Sequence, residues 1–530
     1  MKRLYSCALA LFLGVGAFNT AQAQSVGTQN DVVRAVLNVY DDELREDPEN
    51  YNVYFRRAHL YYGQNQYLQA LSDIDNAIRY TPESDKDMIS QEYALRANIY
   101  LMIDRAADAL PDLEKAYQAD PTSYALLYQK ANVEYELGKY TEAKDDYRRL
   151  RRYHNRSLES LIGLARVAVK ENNFGLANEY ADQAVSLYPA SADAYIRRAS
   201  VRAMLGNNTG AVDDLLLALS VEQNSGRAIS EIVKMSNHDY AAVISGLSNA
   251  ISEAPDVGMF YYIRAIIAQA HYHYSEAIKD FRTIISRNLY NYHGIHGSLA
   301  ECYYAICEFQ KALDEINYAI GSTTENAGYY ITRSKIRLAM GNDIVAMESA
   351  MMAAEKDAGN VKAMIQKGLC SVKMRQFSSA SDYFGEAILE SPDNGWALVM
   401  RGWILANDIN KPQDALNFYN RAIELASDEA STMKGFAMLA AGNTDDAISW
   451  GNLLLESPAS DGSTEFVCAA LFSQAGEIDH AFKLMETSLN KGYANLYNWK
   501  FCDDANMNVG PLRTDPRFDS LIEKYPHLFQ

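Results

Sequence analysis

The residues best suited to hold a metal ion are the histidines. Four of the nine lie between Ala270 and Gly297: His271 and His273 in "QAHYHYSEAIKDF", His293 and His296 in "YHGIHG". Neutral imidazole is a common metal ligand. A closed zinc site needs about four donors converging on one point. Whether these four converge depends on the elements that carry them.

Other reactive groups are sparse. The chain has no GxSxG, HExxH, GxxxxGK[ST] or GxGxxG segment. Neighbouring carboxylates such as Asp145-Asp146 and Asp213-Asp214 sit in apolar-periodic stretches, where one is expected in solvent and its neighbour at a helix–helix edge. Cys302 and Cys307 are five residues apart. On one helix that spacing turns their side chains about 140° from each other, which disfavours a bridge. Cys370, Cys468 and Cys502 form no CxxC pair, so buried structural thiols are expected. The sequence points to no cofactor, no metal and no enzyme activity.

The positioning elements emerge from an internal repeat. "VYFRRAHLYYGQNQYLQALSDIDNAIRYTP" aligns with "EYALRANIYLMIDRAADALPDLEKAYQADP". Ala58, Ala70, Ala77 and Pro82 answer to Ala97, Ala109, Ala116 and Pro121 with the same steps. Small residues at these steps let two helices approach closely. Apolar spacing of three and four makes both helices amphipathic, and the proline stops the second. The steps recur with Ala165, Ala177, Ala184 and Pro189, and with Gly368, Ala380, Ala387 and Pro392. This pattern resembles the tetratricopeptide repeat, a unit of about 34 residues with small residues at positions 8, 20 and 27 and proline at 32. About thirteen units fit between Asn50 and Tyr493. The resemblance implies an all-α fold: an α-solenoid, a right-handed superhelix of helix–turn–helix repeats with terminal caps. Its parts are expected to be a leader over 1–23, a linker and capping helix over 24–48, repeats over 49–255 and 256–492, and a capping tail over 493–530. Asp31 to Asp47 reads as the lone capping helix. In the tail, Asp515-Pro516 should open a short helix with Phe518, Leu521 and Ile522 on one face.

The repeat frame separates the histidines. His271 and His273 fall in the turn inside one repeat, and His293 and His296 at the start of the next first helix. Those edges are about 20 Å apart along a helix of this length, so the four do not share an ion. The resemblance implies instead a groove lined by first-helix positions 2, 5, 9, 12 and 13. Here these include Phe55, His59, Tyr62, Asn98, Tyr128, Asn132, Tyr135, Tyr262, Tyr304, Trp396, Trp403, Phe436 and Phe466. Aromatic rings with polar handles suit contact with a partner. Asparagine at position 9, as in Asn98 and Asn132, is common where such repeats hold a peptide backbone. The resemblance thus implies a non-catalytic scaffold for protein or peptide partners. Ala94 and Tyr128 stand where carboxylate-clamp relatives carry lysine, which argues against an acidic peptide tail. The alternative occupant is a glycan or nutrient. SusD-like outer-membrane lipoproteins are similar in length and also contain such helices, but this chain lacks their cysteine after the leader and their large insertion.

The N-terminus "MKRLYSCALALFLGVGAFNTAQAQ" has a basic start, an apolar run too short to cross a bilayer, and a small-x-small site at Ala21-Gln22-Ala23. This predicts a cleaved secretory leader and a periplasmic or secreted bacterial protein. The whole chain carries a net charge of −19, and loss of Lys2 and Arg3 makes the mature chain more acidic. Such a surface repels nucleic acid and anionic headgroups. Intact-mass analysis of protein exported by a bacterial host should give a mature start at Gln24; a retained Met1 would contradict the leader.

Overall fold

A computed structural model describes residues 29–153, 158–290, 292, 294–424, 428–500 and 509–529. The leader and Cys502 lie outside the described residues. Every regular element among the described residues is helical. Helices of similar length alternate as first and second members of hairpins, beginning with Tyr51–Gly63 and Tyr67–Tyr80, then Lys86–Met102 and Ala106–Ala119. Within each unit, second helices also pack on the next first helix, as Tyr67–Tyr80 does on Lys86–Met102. The chain divides into two compact units, one up to Ala228 and one from Ile229 onward.

The small residues do what their spacing implies. Ala58, Ala70 and Ala77 are fully buried, as are Ala97, Ala109 and Ala116. Where glycine replaces alanine, an aromatic ring takes the space. A Cβ on Gly368 would lie 2.6 Å from the Phe384 ring, and one on Gly402 2.5 Å from the Tyr419 ring. In most repeats the turn between the two helices passes through a left-handed residue. Gly138, Gly206, Gly341, Asn65 and Asn172 supply it cheaply, whereas Tyr272 (φ 64°) and Cys307 (φ 66°) hold the same strained conformation.

A second regularity runs beneath the small-residue pattern. A cation at position 7 of the first helix reaches position 23 of its own second helix. Arg57 binds Asp73 through two nitrogens at 2.7 and 2.6 Å. Arg96–Asp112, Arg198–Asp214 and Arg264–Asp280 repeat the two-pronged geometry, and Lys130 reaches Asp146 at 2.5 Å. The acceptors are buried: Asp214 is fully enclosed and Asp280 is 3% exposed. Asp213 and Asp145 face solvent, so each adjacent pair splits as expected. The same arginines also grip the preceding second helix: Arg57 with Asp41, Arg96 with Asp75, Arg198 with Asp182 and Arg264 with Ser248. Further along, the acceptor becomes an aromatic face. Lys367 lies 4.0 Å from the centre of Tyr383, and Lys434 4.7 Å from that of Trp450.

The ends are covered. Helix Gln29–Glu46 packs on Tyr51–Gly63. At the other end the short helix Arg517–Ile522 buries Phe518, Leu521 and Ile522 in the same apolar cluster as Phe466, Phe472 and Trp499. Cys302, Cys370 and Cys468 are buried free thiols, and Cys307 is half-buried and free. Breaking a buried pair by removing one partner costs about 3–5 kcal/mol, because a charge is left enclosed without compensation. Arg264→Ala should therefore lower the local stability of helix Tyr274–Arg287 by about 3 kcal/mol, read by amide hydrogen exchange. A loss below about 1 kcal/mol would show the pair to be marginal.

Candidate functional site

The first-helix face of the unit up to Ala228 brings several expected residues together. Phe55 and His59 meet edge to face at 4.8 Å, and Tyr62 lies beside Tyr67. Asn98 accepts a hydrogen bond from Gln129 in the next first helix. Asn132 accepts from the Tyr147 hydroxyl at 2.7 Å and from Arg166 at 3.3 Å. The Arg166 guanidinium sits 4.0 Å from the centre of the Tyr135 ring and pairs with Glu136 at 2.7 Å. Tyr128 is half-buried and stacked beside Tyr124. Both asparagine carbonyls are thus engaged by neighbouring side chains.

Two arginines join this face that the groove positions alone had not singled out. Arg166 occupies position 9, where Asn98 and Asn132 stand in earlier repeats. Arg197 follows in helix Ala192–Met204. Its Nε is buried without a hydrogen-bond partner, and the nearby Asp193 oxygen is 4.0 Å away. Arg227 takes that same carboxylate. Burial, with Arg227 and Arg166 nearby, lowers the Arg197 pKa. Arg166 could have been found as an arginine at contact position 9, whereas Arg197 is at position 6, outside the groove set, and the frame gave no signal for it.

The unit from Ile229 treats its candidates differently. Tyr262 stands among Tyr290 and Tyr292, with ring centres 5.6 and 5.5 Å away, and burial pushes its pKa to about 12. Trp396 meets Phe384 edge to face, and Trp403 packs half-buried on the same core cluster. Phe436 and Phe466 do not line a groove: they are 3% and 1% exposed. Phe466 stacks on Tyr493 at 4.8 Å and takes Trp499 edge-on, because the segment after the last repeat folds over this face. Phe436 lies in the same covered cluster.

Tyr304 meets that segment too. Its ring centre is 4.5 Å from Tyr497, and helix Gly294–Ala305 packs on Leu496–Lys500. Tyr272 meets Tyr493 at a tilt of 52°, with ring centres 4.6 Å apart. Gly492 approaches so closely that a Cβ there would lie 3.0 Å from the His273 ring. Asn495 hydrogen-bonds the Tyr274 hydroxyl. The turn carrying the two histidines is therefore a docking point for the end of its own unit.

The histidines are structural. His271 is buried, 3.2 Å from the Ser236 hydroxyl, and shares the Tyr240 ring with His273. His296 Nδ1 lies 2.6 Å from Glu315, and His293 falls outside the described residues. Among the described residues no three His, Cys, Asp or Glu side chains are grouped to hold a metal. Burial lowers the pKa of both His271 and His273, outweighing the opposing pull of Asp461 and Glu276. The unfolded chain then takes up protons that the folded rings refuse, so stability falls as pH drops through the ordinary range near 6.5. The melting temperature should decline between about pH 7 and pH 5, and His271→Gln should shrink that decline while keeping a partner for Ser236. An unchanged pH dependence in the variant would remove the histidine from this role.

Comparison with known proteins agrees with this architecture. Residues 162–227 match the family model for the tetratricopeptide repeat. The human "Protein SGT1 homolog" is 31% identical over 77 residues, which is 14% of this chain and 21% of that protein. Mouse "Tetratricopeptide repeat protein 16" is 23% identical over 393 residues, 65% of this chain and 50% of that one. The chain thus spans between a fifth and a half of these two relatives. Among solved structures, yeast Tom70 is 14% identical with a TM-score of 0.36, covering 76% of this chain and 96% of that one. The tetratricopeptide protein YrrB is 20% identical with a TM-score of 0.29, covering 36% and 96%. No described helix is long and apolar enough to cross a membrane. The fold is an all-helical α-solenoid of tetratricopeptide repeats.

Proposed function

We propose that this chain is a non-catalytic scaffold of the bacterial cell envelope that binds a peptide segment of a partner protein on the first-helix face of its unit up to Ala228. The observation that carries this reading is the Arg197 Nε, a buried donor without a partner beside a row of half-buried aromatic and amide groups. A donor left unpaired in such a place costs free energy unless an acceptor arrives. A peptide carbonyl supplies one. Tyr128 and Tyr135 offer ring faces for its side chains, and the amide nitrogen of Asn132 offers a further donor. Arg166, already oriented by Asn132 and Glu136, gives a fixed edge to that surface. The envelope location rests on the leader-like N-terminus, and the acidic balance favours partners that are not strongly acidic.

Crosslinking from native envelope should identify a partner, and a synthetic peptide from its crosslinked segment should bind the purified chain. Tyr128→Ala and Arg197→Ala should each weaken that peptide about tenfold, or about 1.4 kcal/mol, with helicity unchanged by circular dichroism. Full retention of binding in both variants would move the site elsewhere.

A further inference from the structure

The unit from Ile229 contains a pocket that none of the groove positions anticipated as a whole. Its volume is about 470 Å³, within the roughly 300–1,000 Å³ of small-molecule sites. Three successive first helices, Gly258–Ala270, Gly294–Ala305 and Ala327–Ala339, form its floor. Asn495, from the segment that docks back onto these repeats, forms one wall. The pocket is therefore complete only while Tyr493 lies on Tyr272 and Tyr497 on Tyr304.

Its lining is chemically mixed. Tyr274 and Tyr304 supply ring surface beside the small side chains Ala270 and Ala305. The Glu301 carboxylate accepts from Gln269 at 3.0 Å and from the Thr332 hydroxyl at 3.3 Å. Those bonds fix its orientation, and an exposed carboxylate retains acceptor capacity beyond them. Lys335 brings a positive charge of opposite sign, and Asn495 an amide already aligned by the Tyr274 hydroxyl. Donors and acceptors stand around the pocket in near balance. An anion would meet Glu301 and a cation would meet Lys335. A neutral molecule with many hydroxyl groups meets complementary partners on every side, and its C–H faces suit the tyrosine rings.

We infer that this pocket binds a small uncharged saccharide, and that the segment Gly492–Tyr497 is the wall that completes the site. The tyrosines give the ligand an apolar face to lie on. Glu301, Asn495 and Lys335 read its hydroxyl groups. Because one wall comes from the docked segment, ligand and docking stabilise each other by linkage. The site lies wholly within one unit and does not involve the face around Arg197, so the two readings fail independently.

The test is saturation-transfer NMR on the full mature chain with a panel of hexoses, N-acetylhexosamines and disaccharides at millimolar concentration. Glycine and alanine serve as zwitterionic competitors. At least one saccharide should bind saturably, and the amino acids should not displace it. Thr332→Val, which keeps shape and removes the hydroxyl, and Asn495→Ala should each weaken binding about tenfold. The bound sugar should slow amide exchange across Gly492–Tyr497. Should Asn495→Ala loosen the docked segment, Thr332→Val still decides the matter. Absence of binding across the panel, displacement by the amino acids, or wild-type affinity in both variants would overturn the inference.

Discussion

The architecture depends on one recurring interaction: in several repeats a cation on the first helix is held between two second helices. In Arg57, Arg96, Arg198 and Arg264 the guanidinium is clamped two-pronged on its own hairpin's aspartate and touches the preceding hairpin as well. The planar fork fixes both distance and rotation, which an apolar contact does not. Small residues permit the helices to approach, and the ionic clamp decides how they are set. The aspartate is enclosed while the arginine keeps a partly wet edge, so the desolvation cost falls mainly on one partner. Where the acceptor is Tyr383 or Trp450, the cation is a lysine. Where it is Phe418, the cation is an arginine, 4.9 Å from the ring centre, so a ring face accepts either cation.

This clamp also marks where sequence reading succeeds and where it stops. Helix pairs, their small-residue seams and the terminal helix holding Phe518, Leu521 and Ile522 were legible, because each is set by residues near one another in the chain. The clamp was half legible. One aspartate of each adjacent pair is expected at a helix edge without saying which, and the partners of Asp146 and Asp214 lie sixteen residues earlier, outside any single helical period. The groove positions were legible as directions only. A position points a side chain to one face of a hairpin, and it carries no information about what later covers that face. Phe466 points where the frame says and is nonetheless core, since Tyr493 and Trp499 arrive from beyond the last repeat.

The same limit explains the histidine turn. Its residue types suggested a ligand set, and its frame suggested an exposed edge. In the structure Tyr272 takes a left-handed conformation that most other repeats assign to glycine, asparagine or aspartate, and that Cys307 and Arg375 share. Such a conformation costs of order 1–3 kcal/mol for a bulky residue and persists only when its surroundings over-determine it. The surroundings here are the Tyr493 ring and the Ser463 side chain, both near the far end of the unit. A glycine at position 272 would relieve the strain and lose the ring that makes the contact. The strained tyrosine is therefore the local trace of a long-range docking event.

Equivalent repeat positions thus meet different fates in the two units. Around Arg166 and Arg197 the first-helix face ends in polar groups, one of them a buried donor without an acceptor. Around Tyr272, Tyr274 and Tyr304 the corresponding face is met by the chain's own aromatic and amide groups. An intramolecular segment loses little further freedom on docking, so it outcompetes a free peptide of similar composition at ordinary concentrations. That bias favours separate roles: a face open to a partner segment in one unit, and in the other a face already covered, where the space left is the size of a small molecule. Specificity in such an array is then set less by the repeat pattern than by which stretches of the chain return to cover it.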